Sequence, residues 1–178
     1  MKKWVSVAIA VTVACLSAAS ATAEEQEFDP LAVDVAEALE CRLDPRTYNG
    51  FALTLGSDDS GYQARGWKRQ ESNNSFLSQY ELPEPVIVAG HSTRTIVFSS
   101  SAIMAVLDID IKELAHHETI ENVMGNGQKF LGERVISSKT ETDDGLTFTA
   151  TVKRVLSNVT SHPGKALLGC SYAVEIKD

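Results

Sequence analysis

The chain has 178 residues, with 16 Lys plus Arg against 24 Asp plus Glu and a formal net charge of −8. Hydrophobic residues make up 43% and charged residues 22%, which argues against a disordered, collagen-like or coiled-coil protein. The excess of acidic residues also argues against nucleic-acid binding, because phosphate contacts depend on clustered Lys and Arg.

Three consecutive zones at the start of the chain predict an export signal. Lys2 and Lys3 are followed by an apolar run over residues 4–16 and then by small residues that end in the tripeptide 21–23. This order is typical of a secretory signal peptide, and the apolar run is shorter than the roughly 20 residues that cross a bilayer. We expect a signal peptide over residues 1–23, a periplasmic location and no stable membrane insertion. Cleavage removes both lysines and so lowers the net charge from −8 to −10.

Cys15 provides an alternative to simple cleavage, because the signals of bacterial lipoproteins also end at a cysteine. Those signals carry Leu, Val or Ile three residues before the cysteine, whereas this chain has Thr12. The difference favours a signal that is removed together with Cys15. Lipidation of Cys15 is kept as the alternative.

Loss of Cys15 leaves two cysteines, Cys41 and Cys170, in a compartment where disulfides persist. A bond between them closes a loop for which chain-entropy arguments give about 4–5 kcal/mol of stabilisation. The alternative is two buried thiols that do not pair. We predict a Cys41–Cys170 disulfide, which places the C-terminal segment beside the first helix.

Two Asp-Pro pairs predict helix starts, since Asp accepts amide hydrogen bonds at the N-cap and Pro fits the first turn. The pair at 29–30 begins a predicted helix that runs to about Arg42. The pair at 44–45 begins a second one that ends at Gly56. The inward residues of this second helix, at helical spacing, are Tyr48, Phe51, Ala52 and Leu55.

Short apolar runs separated by polar turns predict strands over the rest of the chain. They cover residues 62–68, 76–82, 86–89, 93–98, 102–107, 133–141, 146–156 and 165–176, with a further helix over 111–123. Pro83 and Pro85 interrupt the second strand, because proline cannot donate to a ladder. The hairpin 133–141/146–156 has the clearest pattern: Asp-Gly suits its turn, and apolar residues alternate with Thr along its second arm.

These elements predict one α+β domain over residues 24–178. Its architecture is two N-terminal helices packed on a mostly antiparallel sheet of five to seven strands. A chain of this length buries about 70% of its unfolded surface in one core.

Catalytic and metal-binding patterns are not found in the sequence. The histidines, at positions 91, 116, 117 and 162, show no HExxH or His-x-His spacing. The run Ser99-Ser100-Ser101 lacks the GxSxG elbow that presents a hydrolase serine. We expect no cofactor, no metal and no enzymatic activity.

Basic and aromatic side chains are interleaved around residues 62–69. Tyr62, Arg65 and Trp67 are candidates for partner binding, because aromatic and Arg side chains dominate interface hot spots. The alternative is an edge strand with one buried ring and solvated cations. Residues 24–44 carry eight carboxylates against one Arg, a field that attracts a basic partner.

Three short segments resemble small periplasmic proteins of Xanthomonas-type bacteria: residues 40–45 (ECRLDP), 81–86 (ELPEPV) and 169–172 (GCSY). Some small periplasmic proteins of that group are immunity proteins, which neutralise toxic effectors delivered by interbacterial secretion systems. The resemblance implies a protein partner, such as a secreted effector toxin. It contains no catalytic motif and so implies no site residue.

We therefore expect a non-enzymatic periplasmic binding protein, most concretely an immunity protein. The alternatives are a small-ligand-binding or envelope-associated protein, and a hydrolase of unrecognised type whose acidic groups converge only after folding. A closed core with an exposed aromatic patch would favour the immunity protein. A pocket with two facing carboxylates or an unpaired buried histidine would favour the hydrolase.

Overall fold

The computed structural model describes residues 28–56, 61–124, 129–143 and 145–177. The predicted signal peptide over residues 1–23, with Cys15, lies outside these residues. Among the helices that the structure describes, none has the length and apolar character needed to span a bilayer.

One antiparallel sheet forms the body of the described chain, with seven strands in the order β1-β2-β3-β4-β7-β6-β5. The strands are β1 (Lys68–Gln70), β2 (Ser78–Val88), β3 (His91–Ser99), β4 (Ala102–Leu107), β5 (Leu131–Asp143), β6 (Leu146–Ser157) and β7 (Ala166–Lys177). The C-terminal strand β7 thus lies inside the sheet, between β4 and β6. The prediction of an α+β fold with a mostly antiparallel sheet is confirmed.

β5 and β6 form the predicted long hairpin, from Leu131 opposite Ser157 to Asp143 opposite Leu146. Gly145 in the turn has a φ of 80°, which favours glycine, while Asp144 lies outside the described residues. β7 pairs with β6 along its whole length, but β4 accompanies β7 only as far as Ser171. Beyond that point β5, β6 and β7 continue as a three-stranded projection. We call residues 137–143, 145–151 and 173–177 the arm.

Of the described helices, three precede β1 in the sequence and one follows β4. They are α1 (Val35–Leu39), α2 (Pro45–Gly56), α3 (Gly61–Ala64) and α4 (Ile111–Glu118). α2 begins as predicted, because the Asp44 carboxylate accepts hydrogen bonds from the amides of Arg46 at 2.9 Å and Thr47 at 3.0 Å. α4 connects β4 with β5, so the prediction of two N-terminal helices as the helical part is not confirmed.

Two helix boundaries differ from the sequence prediction. Asp29 caps only a 3₁₀ turn over Pro30–Ala32, and the Asp34 carboxylate then caps α1 by accepting from the Ala36 amide. The single helix predicted from the pair at 29–30 to about Arg42 is therefore replaced by a 3₁₀ turn and the short helix α1. α4 ends at Glu118 rather than at 123, since Thr119 adopts a left-handed conformation with φ 55°.

Two strand predictions are also wrong. Residues 62–68 were predicted as a strand, but they contain most of α3, and β1 begins only at Lys68. β2 runs through Pro83 and Pro85 as one strand, with a register shift between Glu81 and Val86. β1 pairs only with residues 79–81 of β2, so the prolines lie where no second neighbour needs an amide donor.

The main core lies between the helices and one face of the sheet. Its largest fully buried side chains include Leu39, Tyr48, Phe51 and Tyr172. A smaller cluster of Val97, Met104 and Leu167 is buried on the opposite face. Gly169 is needed where β7 meets β4, because a Cβ there would lie 2.6 Å from the Met104 Cα.

Candidate functional site

Arg65 and Trp67, which were predicted to bind a partner, instead make contacts within the protein. Trp67 is 6% exposed and packs edge-on against Phe51, with ring centroids 6.2 Å apart. The Arg65 guanidinium lies over both rings and donates to the carbonyl oxygens of Pro30 and Val33 at 2.6 and 2.7 Å. These two side chains fix the N-terminal turn to the core, so they do not form a free recognition surface.

Tyr62, the third predicted residue, is half-buried. Its ring lies 5.3 Å from that of Tyr80, and the two planes are tilted by 49°. Since Arg65 and Trp67 are used internally, the predicted cluster of three does not present one exposed face. The alternative of a buried ring explains Trp67. The predicted strand around it is wrong.

The predicted disulfide between Cys41 and Cys170 is confirmed. The two Cα atoms lie 5.3 Å apart, and Cys170 is fully buried. Next to it on β7, the Tyr172 hydroxyl donates to the Ala38 carbonyl oxygen at 2.7 Å. Burial raises the pKa of this hydroxyl, so it stays a donor. Both contacts fix α1 to the middle of the sheet.

Arg154 is the charged residue that the sequence analysis missed. It is 3% exposed and lies on the core face of β6, between the buried Val152 and Leu156. Its guanidinium contacts the Glu118 carboxylate at 2.9 Å, the Glu40 carboxylate at 3.3 Å and the Leu39 carbonyl oxygen at 2.6 Å. A cation at an inward position of an otherwise apolar strand is the signal that could have revealed it.

The charges around Arg154 are satisfied within the fold. Burial raises the pKa of Glu118, but the hydrogen bond and charge of Arg154 outweigh it, and the net shift is downward. The second Glu40 oxygen accepts from the Ala89 amide at 2.9 Å. This ion cluster therefore joins the end of α1, α4 and the sheet.

A cleft of about 680 Å³ lies where the β6–β7 loop meets the start of α4. His162 lines it, and Ser161 lines a second depression next to it. The His162 Nε2 lies 2.9 Å from Gln79 Oε1, and its Nδ1 lies 3.0 Å from the Ser161 hydroxyl. Because Gln79 Oε1 can only accept, Nε2 carries the proton and the neutral ring accepts the Ser161 hydroxyl at Nδ1.

Acyl transfer by serine uses a base next to the hydroxyl and a third group that orients the base, and the contacts of His162 with Ser161 and Gln79 are of this kind. Burial lowers the pKa of His162, which favours the neutral ring. Gln79 is itself held by Gln70, whose side-chain oxygen accepts from Gln79 Nε2 at 2.6 Å. Sequence reasoning missed this set because Gln79 and Ser161 are far apart in the chain.

Metal binding finds no support in the part of the chain that the structure describes. There, no group of three or more His, Cys, Asp or Glu side chains is placed to hold an ion. His117 instead contacts the neighbouring Glu118 at 3.2 Å.

The arm carries an exposed apolar surface on the same face as the core. Along β6, Leu146, Phe148 and Ala150 have the same parity as the buried Val152, and β7 places Ile176 opposite Phe148 and Val174 opposite Ala150. We call Leu146, Phe148, Ala150, Val174 and Ile176 the apolar arm face. Leu146, Val174 and Ile176 are 52%, 46% and 61% exposed. The helices that cover this face over the core do not bury it here.

The opposite face of the arm is polar. Three cross-strand hydroxyl contacts between β5 and β6 follow each other along it, at 3.3, 3.1 and 3.2 Å; they join Ser138 to Thr151, Thr140 to Thr149 and Thr142 to Thr147. Such pairs stabilise a sheet by a few tenths of a kcal/mol each, about 0.2–1. The arm is thus amphipathic, with one face suited to water and one that is not.

Comparisons of this chain with protein-family models, with curated proteins and with solved structures gave no match. The function has therefore to be argued from the residues and their geometry.

Proposed function

We propose that this protein is an exported binding module that docks onto a partner protein through the apolar arm face. Most concretely, it is an immunity protein that neutralises an antibacterial effector toxin in the periplasm. The observation that carries the docking proposal is the exposure of Leu146, Val174 and Ile176 on one contiguous face. Exposed contiguous apolar surface with a polar rim is typical of protein interfaces.

The charges around the apolar arm face are suited to the rim of an interface. Glu141 lies opposite Phe148, and Lys139 lies opposite Ala150, so both acidic and basic groups border the patch. The strands hold the patch rigidly, because backbone pairing continues to the end of the hairpin. A rigid apolar centre loses little conformational entropy when it is covered.

The proposed location of this protein and the proposed identity of its partner are both based on the sequence. The disulfide is compatible with an oxidising compartment, and the predicted signal peptide would deliver the chain there. The resemblance of residues 40–45, 81–86 and 169–172 to periplasmic proteins of Xanthomonas-type bacteria supports the immunity role. An overall negative charge would speed association with a basic toxin surface, and added salt would slow it.

The experiment expresses the product of the neighbouring reading frame in the periplasm of a test strain, with and without this protein. We expect growth arrest without it and rescue with it. Leu146→Asp with Ile176→Asp should abolish rescue, because two charges would be buried at the interface. Val135→Asp is the control. Val135 is 56% exposed, but it pairs with Lys153 and so lies on the face of the sheet opposite to the apolar arm face.

Two results would contradict the proposal. A deletion strain that competes equally with its toxin-producing siblings would exclude the immunity role. Rescue by the doubly substituted protein, at unchanged abundance, would exclude the apolar arm face as the contact surface.

A second candidate function is hydrolysis of an acyl ester, favoured by the Ser161–His162–Gln79 geometry. His162 Nδ1 would take the hydroxyl proton as Ser161 attacks the acyl carbon, and would return it to the leaving alcohol, which leaves an acyl-serine. A water molecule would then attack the acyl carbon while His162 takes its proton and returns it to the Ser161 oxygen, and the carboxylic acid would be released. A fluorophosphonate probe should then label the protein, and Ser161→Ala should remove the label while Ser138→Ala keeps it. Absence of labelling on the folded protein would exclude this candidate.

A further inference from the structure

The two edges of the described sheet differ in length and character. At one edge, β1 is only three residues long. Where β1 ends, β2 itself becomes the edge strand, and it carries Pro83 and Pro85 there. β5 is 13 residues long, and its residues from 133 to 142 are exposed. Proline and short strands block strand addition at an edge, whereas a long exposed edge permits it. Strand addition to this sheet is therefore expected at β5.

A bulge limits the part of β5 that can pair regularly. The register with β6 shifts between Val135 and Ser137, and from residue 137 to the end of the strand at 143 it is regular. A bulge bends and twists its strand, so pairing with a further strand is confined to residues 137–143. The middle of this segment is Thr140.

A second copy of β5 fits this segment in one antiparallel register. A two-fold axis at Thr140 places Thr140 opposite Thr140, and Ser138 opposite Thr142 of the second copy. On the other face, the same register places Lys139 opposite Glu141 of the second copy, and Glu141 opposite its Lys139. Opposite charges directly across a strand pair stabilise it, as do paired hydroxyls.

We propose that two copies of this protein associate through β5 about a two-fold axis at Thr140, which joins their sheets into one. Two separate observations select this register: the midpoint of the regular segment and the complementary charges at 139 and 141. Pairing of β5 with β1 of another copy would involve three residues only. The closed two-fold arrangement is therefore favoured over an open chain of copies.

The two-fold axis runs perpendicular to the joined sheets, so both apolar arm faces lie on the same side. The β6 strands of the two copies are then three strand spacings apart, roughly 14 Å at about 4.8 Å a strand, with Phe148 in line with Ala150 of the second copy. The dimer would thus present two apolar patches separated by two Lys–Glu rows. Its existence does not depend on the identity of the partner proposed above.

The interface is small, because seven residues a copy bury less than the roughly 1,200 Å² of a standard complex. Dissociation constants in the micromolar range are therefore expected. Sedimentation of the disulfide-bonded protein from about 1 µM to about 1 mM should show a monomer–dimer equilibrium. A monomer throughout this range would overturn the proposal.

A charge-swap series tests the register. Lys139→Glu and Glu141→Lys should each weaken the dimer by about tenfold or more, because like charges then face each other in both rows. The double substitution restores opposite charges and should restore the dimer. Glu133→Lys is the matched control: it changes charge as Glu141→Lys does, but residue 133 lies beyond the bulge. A dimer that is insensitive to the series, or not restored by the double substitution, would overturn the register.

Crosslinking at the axis gives an independent readout. In antiparallel pairs, opposite Cα atoms lie about 4.5–5.5 Å apart, within reach of a disulfide. Thr140→Cys should therefore oxidise to a covalent dimer, while Glu133→Cys should stay monomeric under the same conditions. Equal crosslinking of both variants would place the contact elsewhere.

Discussion

The core region and the arm are parts of the same three strands, but they are completed in different ways. Over the core, Arg154 and Tyr172 donate hydrogen bonds to α1, and Cys170 forms the disulfide with Cys41, two residues after the end of α1. On the arm, the same face carries Leu146 and Ile176 with no such cover. Both segments are apolar on this side. The alternation of apolar and polar residues along the strands therefore does not determine where the core ends. The packing of α1 and α2 on the sheet determines it.

The largest expected effect on stability is that of the disulfide, which fastens the helical layer to the core part of the sheet. Replacing Cys41 and Cys170 together with Ala should lower the free energy of unfolding by about 4 kcal/mol, because the open chain regains loop entropy. Urea unfolding, followed by circular dichroism, measures this difference. Reduced wild-type protein should behave like the double variant. Equal stability of oxidised and reduced protein would contradict the role of the bond.

The ion cluster should come next. Arg154→Ala removes the cation from between Glu40 and Glu118, and leaves both partly buried carboxylates without their counter-ion and the Leu39 carbonyl without this donor, at a cost of about 3–4 kcal/mol. Lys153→Ala is the matched control from the adjacent position. Lys153 pairs with Glu133 at 2.6 Å on an exposed face, and its loss should cost less than about 1 kcal/mol. Similar losses for both variants would show that Arg154 is not central.

Two stacked tyrosines allow the stabilisation from ring packing to be distinguished from that of a hydroxyl hydrogen bond. The rings of Tyr48 and Tyr172 lie 4.3 Å apart, yet only Tyr172 has a partner for its hydroxyl within the described residues. Tyr172→Phe should cost about 1–2 kcal/mol, whereas Tyr48→Phe should be neutral or stabilising. Thermal unfolding of the two variants tests this difference. A loss of stability in Tyr48→Phe would reveal a partner for its hydroxyl.

His162 gives a smaller, pH-dependent effect. Burial lowers its folded pKa below the usual 6.5, so below pH 6.5 the unfolded chain binds a proton that the folded protein does not. Stability should therefore fall as the pH drops from 6.5 towards the folded pKa. His162→Gln keeps a donor for Gln79 and should flatten this part of the curve of Tm against pH. A curve of unchanged slope would contradict the assignment.

The smallest effect is expected on the arm. Leu146→Thr with Ile176→Thr should change the free energy of unfolding by less than about 0.5 kcal/mol, because both side chains are already exposed. Leu156→Ala, on the same face but fully buried, should cost about 2–5 kcal/mol. Urea unfolding of both variants measures the contrast. A large loss from the arm variant would mean that its apolar face is covered.

Local rules predicted the parts of the fold that local chemistry determines. Asp44 caps α2, β5 and β6 form the predicted long hairpin with Gly145 in its turn, and the count of cysteines predicted the disulfide. These signals act over a few residues, or need only two partners. The strand predicted over 62–68 failed because its aromatic residues face a core that only tertiary packing creates, with Trp67 against Phe51.

The candidate sites were less predictable from the sequence, because each needs contacts between distant segments. Gln79 meets His162 across 83 residues, and Arg154 meets Leu39 across 115. The alternation along β6 was visible, but it could not show that cover ends near Val152. Exposure of Leu146 depends on where α1 and α2 lie, and that is a property of the whole chain.

The interior position of β7 has a consequence for the order in which the chain can fold. β4 and β6 both need β7 as a neighbour, and Cys41 must wait for a cysteine 129 residues further on. A chain emerging from its N-terminus can thus form α2 and the hairpins early, but cannot complete the sheet until residues 166–177 appear. Completion of the sheet is therefore expected to follow the synthesis of the last strand, because β4 and β6 have no common neighbour before it.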